Sequence, residues 1–485
     1  MMRSTFGRLF NKNWVLAATL VCGASVFTAC SDSNDNPTPK PGENIRKEFV
    51  EHTRQSLKTV AENLNFTTIN SFNYMNTYLN EYLLLNDEFD KTISRTFGQK
   101  IQATLQPFER PEGEPPADLP DELKIDYKYM ATVDLTDFNY TFTSTMTGFD
   151  VAENADEGLV VEIPVFGTSD TQGVKFAIKG TGDTYGVISR ALSNDSVVVM
   201  AKIPAQYDLS FSVKADGKWT EYLYGTVKNT ADNLDGVTTP DGVTPFMPTA
   251  DAWNIALDLH SNIPGVDATD IYFAIGQDPK THKAGLKLDY THNAHKVIEA
   301  TATLSNANGK TDLSQITSSN SIMDVMTAIM AGNSIEELQL TLLDCLTTTA
   351  KISDCATVMK VQSEMASARR NYADQQTIGG YVDQLNGLIS CTMSCKKLGQ
   401  VIPMRLVTTK VGVDWWTVPA LNFSDDNGFV PMTELLDKES TEYALNIIDH
   451  AVDPAKNAII VARQLMQALQ KLQTAFYDSE KAANK

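Results

Sequence analysis

The chain has 485 residues, with 40 Lys+Arg against 60 Asp+Glu, a formal charge of −20 and a pI near 4.7. Apolar residues make up 42% and charged residues 21%, which is ordinary globular usage and excludes a disordered chain, a coiled coil or a fibre. The acidity, with no Lys/Arg-rich block, argues against nucleic acid or an anionic membrane face as the main partner.

The N-terminus carries Arg3, Arg8 and Lys12, then an apolar run from Trp14 to Phe27, then Thr28-Ala29-Cys30. A basic start, a short apolar stretch and small residues before a cut site predict a secretory signal over residues 1–29. The run is shorter than the roughly 20 residues a membrane-spanning helix needs. Phe27-Thr28-Ala29-Cys30 resembles the lipobox of bacterial lipoproteins, with Phe27 where Leu is usual. The rival Cys22 follows Val21, too bulky for the cut site. The resemblance implies that Cys30 becomes the mature N-terminus, carries acyl chains such as palmitate, and anchors the chain to a lipid bilayer. Several chains on one residue hold firmly, whereas one alone is marginal. The alternative is an ordinary secreted protein cut near Ala29.

Residues 30–44 read as a flexible tether, because Ser31-Asp32-Ser33-Asn34-Asp35-Asn36-Pro37-Thr38-Pro39-Lys40 is polar, acidic and Pro-rich. Ser31 after Cys30 fits the outer-membrane sorting of that lipoprotein class. The acidic stretch resembles the surface-export tag of some of its members, so cell-surface display is expected and a periplasm-facing anchor is the alternative. Loss of residues 1–29 removes the three basic residues and no acid, which takes the charge to −23.

Residues 45–106 form a predicted helical segment. Phe49, Thr53, Leu57, Val60 and Leu64 recur at three- and four-residue steps, and a second helix is expected from Ile69 to Ser94. Residues 107–123, with Pro107, Pro111, Pro115, Pro116 and Pro120, are a predicted connection. From Lys124 the apolar period becomes two, in Tyr127–Val133, Phe138–Thr143, Leu159–Ile163, Val197–Ala201 and Trp253–Leu257. Close turns and no intervening helix predict antiparallel sheet over about 124–305, within a region ending near 310. Phe176-Ala177-Ile178 and Phe273-Ala274-Ile275 begin two faintly similar runs of strands and turns. Residues 311–485 are expected to be mostly helical, from Ile335, Leu338, Leu342, Leu343 and Leu346, then Ile378, Val382, Leu385, Leu388 and Ile389. Residues 401–423 read as mixed and extended, and two last helices are expected from Thr433 and Pro454. The predicted fold class is therefore α+β, an antiparallel sheet flanked by N- and C-terminal helical segments.

Cys345, Cys355, Cys391 and Cys395 remain once Cys22 and Cys30 are set aside. An even number outside the cytoplasm predicts two disulfides. Three connectivities are possible, and two straight antiparallel helices could not host both bridges; with a break between Cys345 and Cys355, the expected pairing is Cys345–Cys395 with Cys355–Cys391 in a stapled helical hairpin. Asp425, Asn427, Gly428, Val430 and Glu434 match places of a calcium-binding loop, but Phe423 at its first place offers no oxygen. Calcium is therefore a weak expectation, and no other cofactor is expected. His282, His292 and His295 are read as turn residues around a hairpin rather than metal ligands. Trp415-Trp416 is the densest aromatic spot and a weak candidate for stacking on a sugar. Motifs for serine hydrolases, zinc proteases, phosphate loops and dinucleotide loops do not occur in working form. The expected function is a lipid-anchored binding or envelope-associated protein, handling a glycan or another envelope protein. The alternatives are a glycan-directed hydrolase and a structural part of an envelope assembly.

Overall fold

The computed structural model describes residues 43–63, 86–107, 129–165, 167, 171–189, 197–229, 254–277, 283–306, 333–343, 345–396, 398–411, 414–423, 428–437, 440 and 443. They divide into two compact units. The first takes the described residues up to 63 and those from 269 onward. The second takes residues 86–268. The signal, the tether, most of the Pro-rich connection, the helix expected from Pro454 and most of that expected from Ile69 lie outside the described residues.

Helix α1 (Glu43–Asn63) opens the first unit. Its predicted stripe is the buried one: Phe49, Thr53, Leu57 and Val60 are all buried.

The second unit starts with α2 (Asp87–Ala103), capped by Asn86, whose Oδ1 accepts from the amides of Glu88 and Phe89 at 3.0 and 3.1 Å. Asn is favoured there because it fills a donor group that the first helical turn leaves unpaired. Strands β1 (Gln106–Pro107), β2 (Tyr129–Asp134), β3 (Tyr140–Thr145), β4 (Gly148–Glu153), β5 (Leu159–Pro164), β6 (Gly173–Ser189), β7 (Val197–Ala215), β8 (Lys218–Asn229) and β9 (Asn254–Ser261) follow. The 19-residue β7 organises them. β6 lines one edge along most of its length. On the other edge β2 runs parallel to Val197–Lys202 and β8 antiparallel to Gln206–Ala215. β3 joins β4 antiparallel and β5 parallel, so the sheet is mixed rather than purely antiparallel. Helix α2 covers part of it. Phe89, Ile93 and Phe97 stand four residues apart on one helical face, all 1% exposed. Phe89 meets Phe142 and Phe149 edge-on at 5.4 and 5.3 Å, and Phe97 stacks on Phe138 at 4.1 Å. One glycine is required here. At Gly225 a Cβ would lie 1.9 Å from the Asp258 carbonyl oxygen, so β8 and β9 approach only because no side chain intervenes.

The first unit resumes with β10 (Thr269–Gln277), β11 (Ala284–His292), β12 (His295–Asn306), β13 (Asn333–Leu342) and β14 (Leu346–Ile352). Helices α3 (Cys355–Arg370) and α4 (Gln375–Leu388) intervene, followed by β15 (Ile389–Cys395), β16 (Gln400–Val411), β17 (Asp414–Asn422), β18 (Phe429–Pro431) and the single turn α5 (Met432–Leu435). The nine strands pair in sequence order, each antiparallel to the next. β11 and β12 turn through Asn293 and Ala294, both at positive φ (48° and 62°), the two-residue hairpin geometry that matches strand twist. Asp354 and Asp374 cap α3 and α4, accepting from the Thr357 and Thr377 amides at 2.9 and 2.8 Å. Helix α1 packs on β12, β13 and β14, and its Phe49 meets Phe423 at 5.5 Å. Its Arg54 pairs with Asp437 at 2.7 Å.

The fold is thus dominated by sheet, and the expectation of a mostly helical 311–485 is corrected. Among the described residues only α3, α4, short α5 and the helical positions Ser440 and Tyr443 bear it out. Ile335, Leu338, Leu342 and Leu346 belong to strands β13 and β14. Their helix-like spacing has a different origin. Leu304 pairs with Ile335 but Thr303 pairs with Glu337, so Glu336 is an inserted residue. On the other side Ile335 pairs with Ile352 and Leu338 with Ala350, leaving Glu336 and Glu337 opposite Lys351 alone. This β-bulge converts a two-residue period into three, and keeps both Ile335 and Leu338 buried. The further step of four, Leu342 to Leu346, spans the hairpin turn. Cys391–Cys395 likewise forms a strand, not a helix.

Both helix–sheet contacts should be costly to remove. Phe89→Ala and Phe49→Ala should each destabilise the chain by about 3–5 kcal/mol, as expected for a buried aromatic. Urea unfolding measures this; a loss below ~1 kcal/mol would contradict the burial.

Candidate functional site

The bulge in β13 forms one wall of a cleft of about 770 Å³ in the first unit. The cleft gathers ends of elements: Thr303 of β12, Ser334 to Glu337 of β13, Lys351 to Ser353 after β14, and Asn386 to Ser390 where α4 becomes β15. Ends meet here because β14 runs into α3 and α4 runs into β15, so neither ladder continues. Hydrogen bonds close the gaps. The Ser334 hydroxyl donates to the Ser353 carbonyl at 2.6 Å, and the Ser353 hydroxyl donates to the Leu388 carbonyl at 3.2 Å. Asn386 stands in for a missing strand. β15 pairs with β16 only as far as Met404, and two residues on, the Leu406 backbone is met by the Asn386 amide instead. Its Nδ2 donates to the Leu406 carbonyl at 2.9 Å and its Oδ1 accepts from the Leu406 amide at 2.8 Å.

The charges follow from the bulge. Glu336 pairs with Lys283 at 2.7 Å. The hydrogen bond from Lys283 holds its carboxyl below the usual carboxylate range, against partial burial and with help from Ser305 and Lys351. Glu337 is exposed, and Lys351 stands exposed on the neighbouring strand. The cleft therefore offers carboxylates, one ammonium and hydroxyl oxygens. This set suits a polar ligand rich in hydrogen-bond donors, and among the described residues no aromatic ring lines it.

The residues singled out from sequence lie elsewhere. Cys30, His282, Asp425 and Asn427 fall outside the described residues. Of the calcium loop's other places Gly428, Val430 and Glu434 are described: Val430 is buried in β18 and Glu434 is exposed on α5. Phe423, at the first place of that loop, is 4% exposed and committed to Phe49. Among the described residues no three His, Cys, Asp or Glu gather as a metal would require. His295 is exposed at its turn, but His292 is buried with Nδ1 3.5 Å from the Thr269 hydroxyl. Trp415 and Trp416 are both half-buried. Each ring carries a cation: the Lys410 Nζ is 5.7 Å from Trp415, and the Arg369 guanidinium is 5.3 Å from Trp416. Burial pushes Arg369 down to about 10, so it stays charged at neutral pH, and it donates to the Thr417 hydroxyl at 2.6 Å. Both rings thus have partners where a sugar would stack.

No two sulfurs of Cys345, Cys355, Cys391 and Cys395 lie at disulfide distance, and the stapled helical hairpin is corrected because two of its segments are strands. Cys355, the first residue of α3, is fully buried, and burial pushes its thiol up to about 11. Cys345 and Cys395 do approach, with sulfurs 3.5 Å apart.

Comparison with protein-family models, with curated proteins and with solved structures finds no match for this chain.

Two outcomes test this geometry. Asn386→Ala should cost on the order of 1–3 kcal/mol in urea unfolding, because it strands a backbone donor and acceptor of β16. An unchanged midpoint would mean that solvent serves Leu406 equally well. A carboxylate held low contributes stability above its ordinary value of 4.5 that is lost as pH falls through its depressed pKa. Lys283→Met should therefore move the Glu336 carboxyl titration upward, toward 4.5, in side-chain NMR. A titration that stays put would place the ion pair elsewhere.

Proposed function

We propose that the chain is a bacterial envelope lipoprotein, anchored through Cys30, whose folded body binds a polar ligand without transforming it. The observation that carries this reading is Phe27-Thr28-Ala29-Cys30 after an apolar run and before a polar, Pro-rich tether. An acylated Cys30 would hold the chain on the outer membrane, and the acidic residues behind it favour the cell surface. Among the described residues no helix is long and apolar enough to cross a membrane. The cleft beside β13 supports the binding half. Its hydroxyls and carboxylates suit a hydroxyl- or amine-bearing ligand, such as a glycan or an envelope protein segment.

One observation favours the hydrolase reading: Glu336 and Glu337 line the same cleft. Glycoside cleavage needs one carboxyl group that keeps its proton near neutral pH. Glu336, held low by Lys283, is poorly suited to that part.

Metabolic labelling with a palmitate analogue tests the anchor. Label and membrane association are expected in the natural chain and lost in Cys30→Ala. An unlabelled natural chain, or a labelled Cys30→Ala chain, would contradict it. Glycan cleavage that disappears in both Glu336→Gln and Glu337→Gln would replace the binding reading by the hydrolase one.

A further inference from the structure

Two of the four cysteines in the first unit face each other across the β14–β15 ladder. Cys345 sits in the turn between β13 and β14, where Leu343 takes a φ of 53° and the Cys345 amide donates to the Leu342 carbonyl at 3.0 Å. Cys395 closes β15 opposite Leu346 and is 1% exposed. The Lys396 amide donates to the Cys345 carbonyl at 2.9 Å, which pins the two backbones where the side chains meet. Their sulfurs are 3.5 Å apart, in van der Waals contact. A disulfide needs about 2.05 Å between sulfurs. Closing the bond asks the sulfurs to approach by about 1.5 Å.

We propose that Cys345 and Cys395 form a dithiol that closes to a disulfide when the chain meets a disulfide donor. Cys345 is half-buried and the more accessible of the two. Its thiolate attacks one sulfur of the donor, giving a mixed disulfide and releasing one thiolate, which takes up a proton. The Cys395 thiol then loses its proton and attacks the Cys345 sulfur, which expels the second thiolate of the donor. Two protein thiols lose two electrons and become one disulfide, and the donor disulfide gains them and becomes two thiols. Cys355 is a poor competitor, being fully buried.

The bond would close the 50-residue span that holds β14, α3, α4 and β15. It would sit at one end of the β14–β15 ladder. The other end, Ile352 opposite Ile389, carries the cleft. The Ser353–Leu388 hydrogen bonds already hold that cleft end. Cross-linking so long a span limits the unfolded chain most of all, so the effect belongs in thermal stability.

The test uses the purified full chain, reduced and then exposed to oxidised glutathione, with peptide mapping of cross-links and a thermal melt. The expected result is a Cys345–Cys395 cross-linked peptide and a midpoint raised by roughly 5–15 °C over the reduced chain. The oxidant-dependent rise should vanish in Cys345→Ser and in Cys395→Ser, and persist in Cys391→Ser. Cys345 and Cys395 both still alkylatable after oxidation, a glutathione adduct on Cys345 that never resolves, or a link between other cysteines would overturn the proposal. If a serine variant fails to fold, the map of the natural chain decides alone. Because the oxidant is supplied in solution, the outcome does not depend on the envelope reading.

Discussion

One inserted residue in one strand sets much of the first unit. In a regular strand Ile335 and Leu338 would face opposite sides of the sheet, since side chains alternate. The extra residue at Glu336 shifts the phase, so both stay in the core. The same shift turns Glu336 and Glu337 together toward one cleft opposite Lys351. Without the bulge either the core loses an aliphatic side chain or the cleft loses a carboxylate. The bulge is therefore the constraint that links the fold of this unit to its candidate site, in keeping with where bulges tend to occur.

The neighbouring elements arrange themselves around that point. Helices α3 and α4 interrupt the meander between β14 and β15. Their ends must be served by side chains, because no strand continues there. Asp354 and Asp374 serve the helix starts, Ser353 serves the exit of α4, and Asn386 serves the β16 backbone beside it. The cleft is what remains between these junctions, each closed by a hydrogen bond.

What could be read in the sequence follows the physics of each segment. Helix α1 was legible because Phe49, Thr53, Leu57 and Val60 make one uninterrupted face over a continuous helix. Helix α4 was legible for the same reason, through Ile378, Val382 and Leu385. Strands β16 and β17 were legible as extended despite Pro403 and Pro419. The bulged β13 was not, because a phase shift of one residue imitates a helical step. Two local signals pointed the other way: the alternation Leu338, Leu340, Leu342, and the β-branched run Thr347-Thr348-Thr349. Strand β15 was misread because Cys391 and Cys395, four apart, share a face in either geometry. The cleft itself was beyond sequence reasoning, since its residues come from β12, β13, β14, α4 and β15. The anchor is the reverse case, legible only in sequence.

Strands β13 and β14 form a bulged hairpin that brings Glu336 and Glu337 to one cleft. Cross-strand proton contacts by NMR on the folded chain measure this directly. The account predicts that Ile335 lies close to both Leu304 and Ile352 while Thr303 lies opposite Glu337, with Glu336 skipped. Sequential helical contacts from residue i to i+3 over 333–346, or a regular register that pairs Glu336 with Thr303, would contradict it.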